Sequence, residues 1–497
     1  MSAILAFDQG TTSSRAVVFD REGEIQGMAQ QEFAQHFPKP GWVEHDANEI
    51  WATQLMVAKI ALERAKVTLE NVQAIGIANQ RETTIVWDRA TGRPIHQAIV
   101  WQDRRTSEDC DRLRSEGYGR VINEKTGLVL DAYFCASKIK WLLQEVDGAR
   151  EKAERGELAF GTVDTWILWN LTKGSVHATD VTNASRTMLW NLKKSCWDHD
   201  LLDLFGVPSS MMPEVLPSSA DYGKAHSEWF GSEVPITGIA GDQQAALFGQ
   251  SCTQPGLAKN TYGTGCFALM NIGEQPVLSK SHLLTTATCN QEGSRSFALE
   301  GSVFVGGAAV QWLRDGLGII DSADSIESLA QSVEDTGGVY VVPALTGLGA
   351  PHWDSYARGT ILGLTRGTTK AHVARATLEG IAFQVSDVFH AMKEDASQTL
   401  EELRVDGGAS RNNLLMQFQA DVLQAPVIRS NVTEATALGA AYLAGLKTGF
   451  WQDVEEVDSL WKMGRIFEPE MSNSEVEDRR AGWGKAMECA RLWAKNG

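Results

Sequence analysis

The chain has 497 residues, more than a single hydrophobic core organises, so about two to four domains are expected. Hydrophobic residues make up 43% and charged residues 22%, close to the average for globular proteins, which excludes collagen-like, disordered and membrane-bundle classes. With 45 Lys and Arg against 63 Asp and Glu the net charge is -18; such a surface repels phosphate backbones and anionic lipid, so neither nucleic acid nor a membrane is expected as a partner.

The opening ILAFDQGTTSSRAVVFD predicts two short strands, Ile4 to Phe7 and Arg15 to Phe19, joined by a tight turn of Gly and small hydroxyls from Asp8 to Ser14. A helix follows over about 47 to 66, with Asp46 as its cap, Glu49 three residues on, and an apolar stripe through Ile50, Leu55, Ala58, Ala61 and Leu62. Next come a strand near Ala74 to Ala78, a loop Asn79 to Glu82, and a hairpin through DRATGRP. This order predicts a mixed sheet covered by helices. Ile236 to Ala240 reads as a strand entering a helix at Ala245 to Phe248. From Gly256, GLAKNTYGTGCFALMN again sets a Gly/Thr turn between two apolar runs, so the second half restates the first. The boundary is placed in the polar stretch Gln250 to Pro255, giving units 1–252 and 253–497. Val405 to Ser410 reads as a strand running into a Gly pair ahead of a helix from Asn412 to Leu423, and the last ~45 residues as a charged surface helix or tail.

The seven cysteines include no C-x-x-C pair, which predicts reduced thiols in a cytoplasmic protein. The amino terminus has no basic n-region, and no stretch reaches the ~18 apolar residues of a membrane span, so neither export nor membrane insertion is expected.

Five groups can carry chemistry. Asp8 with Gly10, Thr11 and Thr12 places an acid at a strand end before amides and hydroxyls, a pattern for a hydrated metal ion and phosphate oxygens, although the same residues make an ordinary hairpin turn. No G-x-x-x-x-G-K-[ST] occurs, which excludes a P-loop. Asp242, at a strand-to-helix junction, is placed either to take a proton from a substrate hydroxyl or to cap the helix. Tyr262-Gly263-Thr264-Gly265 and Asp406-Gly407-Gly408 offer close backbone approach to a phosphate or a flat base. Arg81, Glu82, Trp101 and Tyr133 combine hydroxyl-binding heads with flat aromatic surface; read blandly, they are an ion pair and core aromatics.

FDQGTTSSR, GIANQRETT, WQDRR, GDQQAALFG, TYGTGCF, PHWDSYARGTILGLTRGT, VDGGASRNN and ATALGAAYLAG stand in this order between about Ile4 and Trp451. In these segments the chain resembles the FGGY carbohydrate kinases, and among them the glycerol-phosphorylating members. The resemblance implies an α/β fold of two actin/hexokinase-like (ribonuclease H-type) domains flanking a cleft, with glycerol and phosphate held by the first and nucleotide by the second. It implies transfer of the γ-phosphate of ATP to glycerol, with Mg²⁺ as cofactor and a homo-oligomer, dimer or tetramer, as the assembly. By position, Asp8 would hold Mg²⁺, and Thr11, Thr12, Ser13 and Arg15 would line the phosphate loop. Arg81, Glu82, Tyr133, Asp242 and Gln243 would bind glycerol, Trp101 and Phe267 would clamp its carbon side, and Asp242 would be the general base. Thr264, Gly265, Gly307, Gln311, Gly408 and Asn412 would bind the nucleotide. A pentulose or hexonate kinase would share the ATP residues without Arg81-Glu82, Trp101 and Tyr133 together; a non-enzymatic actin-like filament or chaperone ATPase would have no use for Glu82, Trp101 and Gln243.

The chain also departs from the family pattern. Cys135 stands where Ser, Thr or Pro is usual, leaving Tyr133 and Lys138 in place. The stretch AHSEWFGSEVP lacks the Gly-rich, Arg-bearing loop that binds fructose 1,6-bisphosphate in some bacterial members. The position of a regulatory His in other members falls on Glu228, beside His226, and the C-terminal segment differs from that offered to a phosphotransferase-system protein. Control by fructose 1,6-bisphosphate and by that system is therefore expected to be absent.

Overall fold

The computed structural model describes residues 2–431 and 434–495. The first apolar runs form a hairpin, β1 (Ala3–Gln9) and β2 (Ser13–Phe19), with Asp8 opposite Arg15. With β3 (Ile25–Glu32), β4 (Val72–Asn79), β5 (Lys224–Ala225) and β6 (Val234–Gly241) they make a mixed sheet in the order β5-β6-β4-β1-β2-β3. β4 and β6 run parallel to β1, while β2, β3 and β5 are antiparallel to their neighbours. A second sheet is built from β7 (Leu257–Tyr262), β8 (Cys266–Gly273), β9 (Leu284–Ala287), β10 (Phe297–Val303), β11 (Glu402–Asp406), β12 (Val427–Arg429) and β13 (Arg465–Phe467), in the order β9-β10-β8-β7-β11-β12-β13. From β10 to β13 it repeats the first sheet strand for strand: an antiparallel hairpin with a third antiparallel strand on one side, two parallel strands and an antiparallel edge on the other. The similarity of the two Gly/Thr turns therefore marks a duplicated sheet.

The first sheet is covered on both faces, which is why β1 reads as an unbroken apolar run. Ala3, Leu5 and Phe7 pack with α1 (Ala47–Ala65), whereas Ile4 and Ala6 face α6 (Ala435–Thr448). Asp46 caps α1 through the Asn48 amide at 2.8 Å, but the Glu49 carboxylate turns outward to the Ala34 amide at 3.3 Å, so no capping box closes. Between these helices in the chain lie α2 (Asp242–Gly249), α3 (Gly307–Asp315), α4 (Lys370–Ala396) and α5 (Asn413–Leu423). α4 crosses the outer face of the second sheet and shares its core, and α7 (Asn473–Lys495) docks on α4. Trp483 stacks on Phe383 at 5.1 Å and donates to Asp387 at 2.8 Å, so the charged C-terminal segment is an anchored helix with a buried face.

The DRATGRP hairpin forms: the Asp88 amide donates to the Arg93 carbonyl at 3.0 Å and the Ile95 amide to the Val86 carbonyl at 2.9 Å, on either side of an antiparallel Trp87–Pro94 bridge. Pro94 occupies a position whose N–H the ladder does not use, and Ile85–Asp88 also pairs with Leu158–Gly161.

α6 follows the predicted boundary in sequence yet lies on the first sheet and against α2. Its small residues permit that approach: a Cβ at Gly439 would sit 1.9 Å from the Ala245 carbonyl oxygen, and one at Gly76 would sit 2.1 Å from that of Ala440. Gly439→Ala is therefore expected to cost about 1–3 kcal/mol by overpacking. A lower thermal midpoint by circular dichroism, together with reduced turnover from a displaced α2, is the expected result.

Candidate active site

Parallel strands deliver the candidate residues to one place. β1 ends beside Asp8, β4 leads into Arg81 and Glu82, and β6 ends next to Asp242, as ligand groups gather at the carboxyl ends of parallel strands. In the β1–β2 turn the Gly10 amide donates to the Ser13 carbonyl at 2.9 Å. Thr12 is exposed at its tip, and Thr11 Oγ1 accepts from Trp101 Nε1 at 2.9 Å, which pins the indole to the turn. Ser13 Oγ accepts from Gln30 at 2.9 Å. Arg15, expected on the phosphate loop, pairs with Glu434 and stands 3.6 Å from Asp8. Burial pushes the Asp8 carboxyl up to about 6 despite Arg15, and the negative charges of Glu434 and Asp242 push the same way.

Arg81 and Glu82 are buried in a four-charge network that sequence reading did not anticipate. Glu300, on β10, accepts from Arg81 Nη1 at 2.6 Å and Nη2 at 2.9 Å. It also accepts from Arg186 at 3.1 and 3.3 Å, and Arg186 Nε donates to Glu82 Oε1 at 2.6 Å. Burial opposes ionisation of Glu300, yet Arg186 and Arg81 together hold its carboxyl down at about 2. Glu82 has φ 60, the left-handed region that a side chain seldom enters, and its carbonyl is held by Lys138 Nζ at 3.3 Å and Cys135 Sγ at 3.4 Å. Lys138 also binds the Tyr133 carbonyl at 2.8 Å, so one buried ammonium fixes both backbone segments; the Cys135 departure keeps a donor at that point. The Tyr133 ring stands edge-on to Trp101 at 5.7 Å.

Asp242 is the first residue of α2, whose cap is Gly241. Its Oδ1 accepts from the Gln243 amide at 2.7 Å and lies 3.3 Å from Arg81 Nε. Oδ1 thus satisfies one first-turn amide of α2 although Gly241 holds the cap position. Burial raises its pKa, against the pull of Arg81 and Lys259. Gln243 Oε1 accepts from Lys259 on β7. Phe267, half-buried on β8, pairs with Ser302, and Leu269 two residues on pairs with Glu300, so Phe267 and Glu300 share the sheet face turned to the first half.

The other candidates gather at the ends of β7 and β11. The Thr264 carbonyl accepts from the Gly306 and Ala308 amides at 2.8 and 3.1 Å, and the Gly307 amide donates to Gly263 at 2.8 Å, which joins the Thr264-Gly265 turn to the start of α3. Gln311 is exposed on α3. A Cβ at Gly408 would meet nothing within 4 Å, so this backbone faces open space. Asn412 caps α5 by accepting from the Leu415 amide at 2.9 Å, leaving only its amide group for a ligand.

Two duplicated sheets with these residues at their strand ends agree with what the sequence matches. The N-terminal domain of the FGGY family of carbohydrate kinases matches residues 3–249, and the C-terminal domain matches residues 258–448. The chain belongs to this family. It is 62% identical over 495 residues to the glycerol kinase of Rhodopirellula baltica, covering 100% of this chain and 92% of that protein. It is 60% identical over 495 residues to that of Trichlorobacter lovleyi, covering 100% of both. The crystal structure of Plasmodium falciparum glycerol kinase with ADP superposes with a TM-score of 0.95 at 38% identity, over 99% of this chain and 98% of that one. A xylulose kinase from Lactobacillus acidophilus, 21% identical with a TM-score of 0.89 over 99% of both chains, shares the actin/hexokinase-like fold.

In this FGGY kinase, sequence reading missed Arg186, Glu300, Lys259 and Glu434. Arg186 in NASRTM and Glu300 in FALEGS stand in apolar or small-residue contexts, and a lone charge inside an apolar strand is the one local signal of a buried ion pair. Glu300→Gln leaves two buried guanidinium groups facing one carboxylate. Breaking such a network costs about 3–5 kcal/mol. A markedly lower melting temperature is expected, with loss of acceptor affinity in whatever protein remains folded, read as a raised acceptor KM.

Proposed function

We infer that this enzyme transfers the γ-phosphoryl group of ATP to glycerol, forming sn-glycerol 3-phosphate and ADP, the entry step of glycerol catabolism. The observation that carries the reading is the partly exposed Asp242 carboxylate, 3.3 Å from Arg81 in the Arg81–Glu82 cluster. Relatives called glycerol kinase at about 60% identity over the full chain support the same acceptor. Arg81, Glu82, Tyr133 and Gln243 are proposed to bind the hydroxyls, and Trp101 and Phe267 to bound the carbon side. One hydroxyl gives its proton to Asp242 as its oxygen attacks the γ-phosphorus, and the bond to the β,γ-bridging oxygen breaks to release ADP. The backbone at Thr11, Thr12, Thr264 and Gly265 is proposed to line the phosphates, with Gly307, Gln311, Gly408 and the Asn412 amide along the nucleoside. Ser13 and Arg15 are proposed to complete the phosphate loop, with Arg15 3.6 Å from Asp8.

Residues present suit a magnesium ion. Asp8 is crowded by Asp242 and Glu434, which favours a proton or a cation there. Among the described residues no group of three or more His, Cys, Asp or Glu side chains is placed to hold a metal; the ion would rest on Asp8 with water and phosphate oxygens as remaining ligands, its usual manner of binding. Bound there, it supplies charge neutralisation to the phosphates. Among the described residues no helix is long and apolar enough to cross a membrane. A cytoplasmic homo-oligomer and a division at 252/253 complete the proposal, resting on the family resemblance.

ADP release assayed over a panel of polyols and sugars tests the acceptor: glycerol is expected to give the highest kcat/KM, and a higher value for xylulose, ribulose or gluconate would refute it. Asp242→Asn keeps the shape but takes no proton, so kcat is expected to fall by about 10²–10⁴ with nucleotide binding retained. Because burial raises the Asp242 pKa, the base is lost as pH falls through that raised value. The acid limb of kcat/KM should therefore lie above the ordinary carboxylate value of about 4.

The segment from Lys224 to Glu233 offers no free cation to a bisphosphate. Lys224 lies 3.3 Å from Glu233, Glu228 pairs with Lys173, and His226 Nδ1 accepts from the Glu228 amide at 3.2 Å. Millimolar fructose 1,6-bisphosphate is expected to leave activity nearly unchanged; a dose-dependent loss abolished by changes within residues 224–233 would show otherwise.

A further inference from the structure

We propose that Lys259 is a positioning residue of the acceptor site: it fixes which end of the Gln243 amide faces the acceptor. The inference rests on the acceptor site as read above. Lys259 stands on β7, in the second half of the chain, with no exposed surface. Its ammonium reaches across to the first half, donating to Gln243 Oε1 and, at 3.0 Å, to Thr261 Oγ1 within its own strand.

An ammonium has only donors, so it can engage only the oxygen of the Gln243 amide. The Nε2 group is thereby turned away from Lys259, with two N–H donors and no acceptor. A hydroxyl bound there must receive a hydrogen bond on its oxygen and direct its own proton elsewhere, and the adjacent carboxylate of Asp242 is the available acceptor. Without Lys259 the amide could rotate by half a turn and present its oxygen, which would compete for that proton.

Lys259→Met removes the donors while filling much of the volume. The expected result is a glycerol KM raised about tenfold with an unchanged KM for ATP. Gln243→Met, with Lys259 intact, is expected to raise the glycerol KM as well, and adding Lys259→Met to it is expected to raise it no further. If Gln243→Met leaves the glycerol KM unchanged, the acceptor-site reading itself fails. If Gln243→Met raises it while Lys259→Met, melting as the parent does, does not, or if the two losses add in the double variant, the role of Lys259 is refuted. Lys259→Leu is read by the same criteria should the methionine variant not fold.

Discussion

Two guanidinium groups and two carboxylates meet in the interior of this protein, and the acceptor side of the cleft is arranged around them. Arg81, Arg186, Glu82 and Glu300 are each at most 2% exposed at their side chains. Charges taken that far from water are tolerable only when every partner is present and well aligned, since a missing member leaves its opposite unanswered. Glu300 comes from the second sheet, while Arg81 and Glu82 follow a strand of the first and lie 219 and 218 positions away in sequence. Fixing these side chains therefore also fixes the two sheets against each other on this side. Glu82 keeps its left-handed backbone because Lys138, Cys135 and Arg186 all hold it there.

A second constraint comes from behind the first sheet. α6 follows most of the second sheet in the chain, yet it lies on β1, β4 and β6 and against α2. Contact between helix backbones at Gly439 and Ala245 is closer than any side chain permits. The recurring small residues of ATALGAAYLAG thus have a mechanical explanation: they let α6 press α2, and with it Asp242, into place. The two sheets are separate, but the units that carry them exchange a helix, so a division by sequence position and a division in space are different things.

Much of this was legible locally. Both Gly/Thr hairpins, the strand ends at Asp8 and Asp242, and the Arg81–Glu82 loop follow from apolar runs and turn chemistry, which act over a few residues. The hairpin through DRATGRP was legible too, with Pro94 falling where the ladder needs no N–H. The C-terminal helix was under-read. Its charges suggested a solvated surface, while Val476, Trp483, Met487 and Ala490 already repeat at helical spacing and are buried.

The sequence by itself determined the elements, the duplicated hairpins, the absence of a P-loop and the family, since each depends on residue order and short-range pattern. Tertiary structure alone decided partners. Arg15 and Glu434 stand far apart in sequence until the fold pairs them; Gln243 could face either way until Lys259 meets its oxygen; Glu300 is an isolated charge in a strand until two arginines close on it. Hydrogen bonds and ion pairs act over a few ångströms of space regardless of separation along the chain, so only the packed arrangement of both sheets brings these groups within reach.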